Sequence, residues 1–409
     1  MNIFVIANIF NTSGVYTHIK NVTEHLVKLG HSVTLYTPYF LIDPSRRKVL
    51  EELKGVQIHP LVYSNLEKVS KTQIRTFSYF ISSHLVYLNW NNLGLDRKIL
   101  DELPKFDIVY DMHEDSVTLR LSYHVAKKAG KPLVKLLHDE PFRNSFGRGY
   151  RHFYGIKGWV YDSMMYFFYK FDKEAFLRSI KDGVLRGIAG VSPSSFFYSG
   201  LDKISRKYNI ITKVYKPGNA FDKEKVAKYR KTRNKENYAV YFARLVPQKG
   251  LYELPKIADK LETKIVVCGR LYNERDRKFL DNKKIEYKGY VLIEDLYKIV
   301  ANAKVLIYPS HQDGFSLVVL DALALGTTVA AYDIPAVRFV YGGLKPVKVV
   351  KEYDTYSLSK TANEVIRMND DEYESEHEDE KVRQFLDMHS SWENVAKETE
   401  AFLLNFVKP

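Results

Sequence analysis

"MNIFVIANIFNTSGVYTHIKNVTEHLVKLGHSVTLYT" (residues 1–37) decides the fold. "NIFVIANI" is an apolar, β-rich run that stops at the polar loop "FNTSG". Apolar residues then recur at helical spacing through "VYTHIKNVTEHLVKLG", where Gly30 ends the helix, and "HSVTLYT" follows as a second strand. Strand, loop, helix and strand in this order make one step of a parallel sheet. The opening has no basic leader and runs into polar residues, so it reads as a strand and not as a signal peptide.

Working outward, further strands are expected at "VQIHPLVY", "FDIVYDM", "PLVKLLH" and "GIAGVS". The alternation restarts with "YAVYFAR", "KIVVCGR", "IEYKGYV", "KVLIYPS" and "TTVAAYD", with helices between them. A chain of 409 residues exceeds one ordinary core, and two domains of about 200 residues each are the natural division. The expected domains are 1–214 and 215–389, with the changeover near Val214–Asp222. A final helix, "SSWENVAKETEAFLLNF", lies within 390–409 and is expected to pack back on the first domain.

Hydrophobic residues make up 45% and charged residues 27%, a soluble balance with no run long enough to span a membrane. The one cysteine, Cys268, excludes an intramolecular disulfide framework and a cysteine-based zinc site. A cytoplasmic location is expected. The net charge of +13 is uneven, because residues 127–230 hold 22 Lys/Arg against 9 Asp/Glu. That window carries the whole excess, which points to an anionic partner. Within it, 141–180 contains thirteen aromatics interleaved with Arg143, Arg148, Arg151, Lys157 and Lys170. Such a stretch suits either helices capping the first sheet or an interfacial face toward anionic lipid. By contrast "NDDEYESEHEDE" (369–380) reads as a solvated loop or a frayed helix end.

Two stretches carry chemistry. In "FARLVPQKGLYEL" (242–254) Arg244 and Lys249 flank a turn after a strand, with a helix expected to begin near Gly250. A planar fork and a mobile point charge at a helix N-terminus suit a diphosphate. In "PSHQDGFSLVVLDALALGTTVAA" Asp313 precedes Gly314 at a strand's carboxyl end, where ligands of parallel sheets gather. Asp321 follows in the next helix, and its neighbours three and four places away are Leu317, Val318, Ala324 and Leu325. A carboxylate so placed needs hydrogen-bond donors, and the two adjacent hydroxyls of a ribose would supply them.

These stretches, with "YKGYVLIEDLYKIVANAKVLIYPS" between them, resemble the donor-binding domain of retaining glycosyltransferases with the GT-B fold, the family 4 group also called glycosyl transferases group 1. The N-terminal half is similar as well: "SGVYTHIKNVTEHLVKLGHSVTLYT" resembles the family's glycine loop and first helix, and "LVKLLHDEP" its strand ending in a catalytic-site histidine. "KPGNAFD" resembles the connector between domains and "SSWENVAKETEAF" the terminal crossing helix.

The resemblance implies an α/β protein of two Rossmann-like, doubly wound domains facing a central cleft. It implies that Arg244 and Lys249 grip the donor diphosphate, that Asp321 holds the nucleotide ribose, and that Asp313 approaches the transferred sugar. The backbone of Gly314, Phe315, Ser316 and Leu317 would contact sugar and phosphate, and that of Tyr290 and Val291 the base. Gly14 would approach the diphosphate or acceptor from the first domain, and His138 would lie beside the reacting sugar. It implies a hexose moved from a nucleotide diphosphate sugar, the donor being a substrate and no cofactor being needed. No cluster of acids or histidines has metal-ligand spacing and two cations can serve the diphosphate, so no metal is expected. The acceptor would be a glycan or a lipid-linked molecule, reached by peripheral attachment to the inner face of the membrane.

Some positions depart from the family. Asp stands at both acidic positions where Glu is usual, Ser13 replaces one glycine of the first loop, Ala220 replaces the connector glycine, and Phe339 stands at a usual Glu. Each Asp is one methylene shorter, which bears on reach and donor choice.

Other readings are less well served. A sugar-nucleotide epimerase would not need the basic aromatic stretch. A basic nucleic-acid- or membrane-binding protein on a degenerate scaffold would fit the charge, but no nucleic-acid motif is present and no nucleic-acid partner is expected. A dinucleotide dehydrogenase would need a glycine spacing that "NIFNTSG" lacks.

Overall fold

The computed structural model describes residues 1–7, 9, 14–38, 53–61, 101–113, 116–139, 141, 155–156, 158–160, 163, 173–197 and 200–407. Most of the basic aromatic stretch 141–180 lies outside the described residues. The chain forms two compact units, one of residues 1–143, 167–218 and 392–409, the other of 144–166 and 219–391. Each is a Rossmann-like α/β layer structure.

The first unit holds a seven-stranded sheet in the order β3-β2-β1-β4-β5-β6-β7. Its strands are β1 Asn2–Ile6, β2 Ser32–Pro38, β3 Gln57–Leu61, β4 Ile108–Asp111, β5 Leu133–Leu137, β6 Leu185–Gly190 and β7 Ile211–Val214. All neighbours run parallel, with Ile3 paired to Val33 on one side and Ile108 on the other. Central strands buried on both faces read as continuous apolar runs, as β5 "LVKLL" does. Phe4 stacks on Tyr36 with ring centroids 4.1 Å apart, and Phe106 meets Phe4 edge-on at 4.8 Å.

The helix Trp392–Leu403 belongs to this unit and packs along the helix Gly14–Lys28. Trp392 meets His18 edge-on at 5.9 Å, and the Glu400 carboxylate lies 2.7 Å from His31 Nε2. Beyond it Phe406 occupies the space left by Gly187, where a Cβ would stand 2.3 Å from the ring.

The second unit holds a six-stranded parallel sheet in the order β10-β9-β8-β11-β12-β13. Its strands are β8 Glu236–Phe242, β9 Ile265–Cys268, β10 Ile285–Gly289, β11 Ala303–Tyr308, β12 Thr328–Tyr332 and β13 Val347–Val350. Strand order reverses between β8 and β11, and in open parallel sheets ligands gather at the carboxyl ends of the strands at such a reversal.

β7 and β13 had no counterpart in the expected strands. Both are four-residue edge strands, and β7 carries no fully buried position, so neither shows a long apolar run. The acidic stretch is also different from expectation. Residues Asp370–His377 form a helix closed by a reciprocal cap between Asn369 and Glu372. Tyr373 and His377 are buried beneath it, while Arg233 pairs with Asp371 and Glu374 at 2.6 and 2.5 Å. Partners of opposite charge, far away in sequence, turn a like-charged run into an ordered element.

Candidate active site

The loops 243–250 and 309–316 rise from β8 and β11 at the carboxyl end of the sheet in the second unit. They touch backbone to backbone at Gly250. Its φ of +81° is a left-handed conformation, and a Cβ there would lie 2.3 Å from the Pro309 carbonyl oxygen. His311 N–H donates to Gln248 O at 2.9 Å, a second strut between the loops.

Lys249 Nζ reaches Asp313 Oδ2 at 2.7 Å and the Gln312 carbonyl at 2.8 Å. The Tyr308 hydroxyl donates to the same Asp313 oxygen. Burial, then the adjacent Asp313 charge, holds that phenol well above its ordinary pKa, so it stays a donor. The cation and the anion expected to serve different parts of a ligand therefore meet each other. Arg244 follows β8, is exposed, and makes no ion pair among the described residues.

The helix expected near Gly250 starts later. Two 3-10 turns, Pro247–Lys249 and Leu251–Glu253, precede a seven-residue α-helix at Leu254–Lys260. Pro247 and Pro255 explain the delay, because proline removes donors from the ladder. Amides for an anion come instead from the helix Leu317–Ala324. Ser316 caps it, its hydroxyl accepting from Val319 N–H at 3.3 Å. Tyr341 fixes the cap by donating to Ser316 O at 2.5 Å. The first-turn amides of Leu317 and Val318 have no acceptor within the helix.

Asp321 lies one turn along that helix, only partly exposed. Burial, and then the negative charge of Asp222, push its pKa up to about 7. Among the described residues no group donates a hydrogen bond to its carboxylate. Asp222, in turn, caps the helix Lys223–Ala227 and pairs with Lys225 at 2.8 Å. Tyr290 follows β10 and is 77% exposed, with Val291 beside it.

In the first unit, His138 stands just past β5, buried, with Nε2 3.2 Å from the Met112 carbonyl. That contact makes Nε2–H the donor of the neutral ring. His18 meets it edge-on at 4.7 Å. Burial, then the neighbouring His18 and His113, holds the His138 pKa well below the ordinary value. Gly14 is the exposed first residue of the helix Gly14–Lys28, also at the carboxyl side of its sheet.

Sequence reasoning missed one cluster. His311 lies between Glu253 Oε2 at 2.8 Å and Glu352 Oε1 at 3.0 Å, and Tyr332 donates to Glu253 Oε1 at 3.2 Å. The histidine stands two residues before Asp313 and could have been flagged there; Glu352, from a loop after β13, left no local signal. Among the described residues no group of three or more His, Cys, Asp or Glu side chains is placed to hold a metal ion.

Residues 222–381 match the family model "Glycosyl transferases group 1". An uncharacterized glycosyltransferase of Methanocaldococcus jannaschii is 22% identical, over 94% of this chain and 93% of its own. O-antigen chain mannosyltransferase B of Escherichia coli is 26% identical over 30% of this chain and 35% of its own. Among solved structures, Anabaena HepE in complex with UDP and glucose superposes with a TM-score of 0.65 at 13% identity, over 99% of this chain and 100% of that one. The fold is GT-B, and the family match together with that fold supports a glycosyltransferase.

Proposed function

We propose that this chain is a retaining glycosyltransferase of family 4 that moves a hexose from a nucleotide diphosphate sugar to an acceptor in glycoconjugate synthesis. One observation carries the reading. Arg244, Lys249 and the first-turn amides of Leu317–Ala324 lie at the carboxyl end of the second sheet, and Asp321, one turn along that helix, is a carboxylate with no hydrogen-bond donor among the described residues. Cations and amides suit a diphosphate, and an unsatisfied acid suits the two hydroxyls of a ribose. The match of 222–381 to the family model and the UDP seen in Anabaena HepE support the same donor class.

In the reaction the bond between the anomeric carbon and the diphosphate oxygen breaks, and a bond from the acceptor oxygen forms. The acceptor's proton passes to the departing diphosphate. Arg244, Lys249 and the helix amides stabilise charge growing on that leaving group, which is where electrostatic preorganisation acts most strongly. Leaving and attacking groups share one face of the sugar, so configuration is kept without a covalent intermediate. Within the second unit, Asp313 holds the sugar as positive charge develops at its anomeric carbon. Two cations beside the diphosphate do the work otherwise assigned to a divalent ion.

A panel of nucleotide sugars screened for thermal stabilisation tests the donor reading, since a ligand that binds only the folded state raises Tm. At least one nucleotide diphosphate sugar should raise it. Stabilisation by nucleic acid and by no nucleotide sugar would overturn the reading. With the donor in hand, an α-donor should give an α-product by NMR coupling constant, and EDTA should leave the rate unchanged. A β-product, or activity lost to EDTA and restored by magnesium or manganese, would sink the mechanism.

A further inference from the structure

His311 stands two residues before Asp313 and has no part in the proposed reaction. Both its ring nitrogens face carboxylates, Glu253 at 2.8 Å and Glu352 at 3.0 Å, and its side chain is 2% exposed. An ionised carboxylate only accepts, so a histidine between two of them must donate from both nitrogens and carry a charge. The three residues come from different parts of the second unit. Glu253 follows the Lys249–Gly250 turn, His311 sits in the loop that carries Asp313, and Glu352 follows β13. Tyr353 stacks on the imidazole at 4.3 Å between centroids, and Tyr332 lies tilted at 5.5 Å.

We propose that His311, held as an imidazolium between Glu253 and Glu352, is a positioning residue that clamps the Asp313 loop to the Lys249 turn and so sets the donor-binding geometry. This inference rests on the donor site proposed above. Its charge acts with the backbone strut from His311 N–H to Gln248 O, which already joins the two loops. Burial alone would lower the histidine's pKa, but hydrogen bonds to Glu253 and Glu352 outweigh it and raise the value. Tyr332 donates to Glu253, and the charge of Asp354 reaches Tyr332. Lys256, Arg275 and Lys278 line a cavity with Glu253 and Tyr353, and Lys351 lies near Asp354, so cations stand around the outer side of the cluster.

The sign of the pH effect follows. A histidine whose folded pKa is raised contributes fully below its unfolded value, and the contribution is lost as pH rises through the folded one. The clamp is therefore closed where the histidine is charged and both glutamates are ionised, and it loosens as pH rises through the raised histidine pKa.

Hydrogen exchange over residues 245–253 and 309–316 tests the clamp directly, in the wild type, His311→Gln and Glu352→Gln. Protection in both segments should fall by about tenfold in His311→Gln and by less in Glu352→Gln. Corrected for intrinsic chemistry, wild-type protection should drop as pH rises above neutrality, and the His311→Gln profile should be flat. The KM for a stabilising nucleotide sugar should rise in both variants while kcat changes little. Unchanged protection in both variants, or an unchanged KM with a lower kcat, would overturn the clamp. If His311→Gln fails to fold, Glu352→Gln carries the test alone. Should no nucleotide sugar bind the wild type, the donor reading fails, and the exchange data still judge the clamp.

Discussion

Lys135 and Asp111 meet at 2.6 Å with neither side chain exposed to solvent. The ammonium also donates to the His113 carbonyl at 2.5 Å, and His113 N–H returns to Asp111 Oδ1 at 3.2 Å. The pair thereby fixes the segment after β4, in which Met112 O accepts the hydrogen bond from His138 Nε2–H. Removing one partner leaves a buried charge uncompensated, which costs about 3–5 kcal/mol. Lys135→Met should lose stability on that scale in urea melts, and Lys135→Met with Asp111→Leu should recover most of it. A single variant as stable as the wild type would show that water reaches Asp111.

Asp321 gives a prediction with a pH sign. Its folded pKa is raised to about 7, so the folded state binds the proton more tightly than the unfolded one. Stability should therefore fall as pH rises from the ordinary carboxylate range to about 7. Asp321→Asn should raise Tm at pH 8 and leave it near wild type at pH 4. Donor affinity should change the other way, rising as the acid ionises, and Asp321→Ala should weaken donor binding about tenfold or more. Nucleotide affinity unchanged in Asp321→Ala would refute the ribose role.

Arg244 and Lys249 should separate stability from turnover. Arg244 is exposed and without an ion pair among the described residues, so Arg244→Ala should leave Tm unchanged. Lys249→Ala removes the cation 2.7 Å from Asp313, leaving it only the Tyr308 hydroxyl among the partners described, and should lower Tm. Both should cut kcat by about a hundredfold or more, because the charge they meet grows in the transition state. Steady-state rates near wild type in both variants would displace the diphosphate from this site.

A last prediction concerns the lipid-linked acceptor. Exposed Ile156, Trp159 and Val160 fall at helical spacing within the basic window, at 83%, 55% and 54% exposure. No helix of the described residues is long and apolar enough to cross a membrane. Basic segments beside an anionic surface gain about 1 kcal/mol per cation, and salt weakens it. Flotation with liposomes should show binding that requires acidic lipid and falls with added salt. Equal absence of binding to neutral and acidic vesicles would favour a soluble acceptor.

What the sequence disclosed follows from where its signals are local. The βα rhythm of residues 1–37 and the apolar runs of the central strands are written in consecutive residues, so the doubly wound architecture was legible. Asp321 betrayed itself through its four apolar neighbours. The Lys249–Asp313 contact spans 64 positions, and Glu352 reaches His311 across 41, so pattern and period carried no trace of either. The acidic helix escaped for the same reason, because Arg233 and Lys348 supply its countercharge from afar.

The abutment of Gly250 on Pro309 bears on how such a protein can change over generations. Any side chain at position 250 would push the two loops apart, because the Pro309 oxygen stands 2.3 Å from the missing Cβ. Neither loop can then be lengthened, shortened or re-angled by itself. Change at one of the two abutting loops must be matched at the other, so they are inherited as one part, whereas the exposed turn after β10 at Tyr290 carries no such constraint from them.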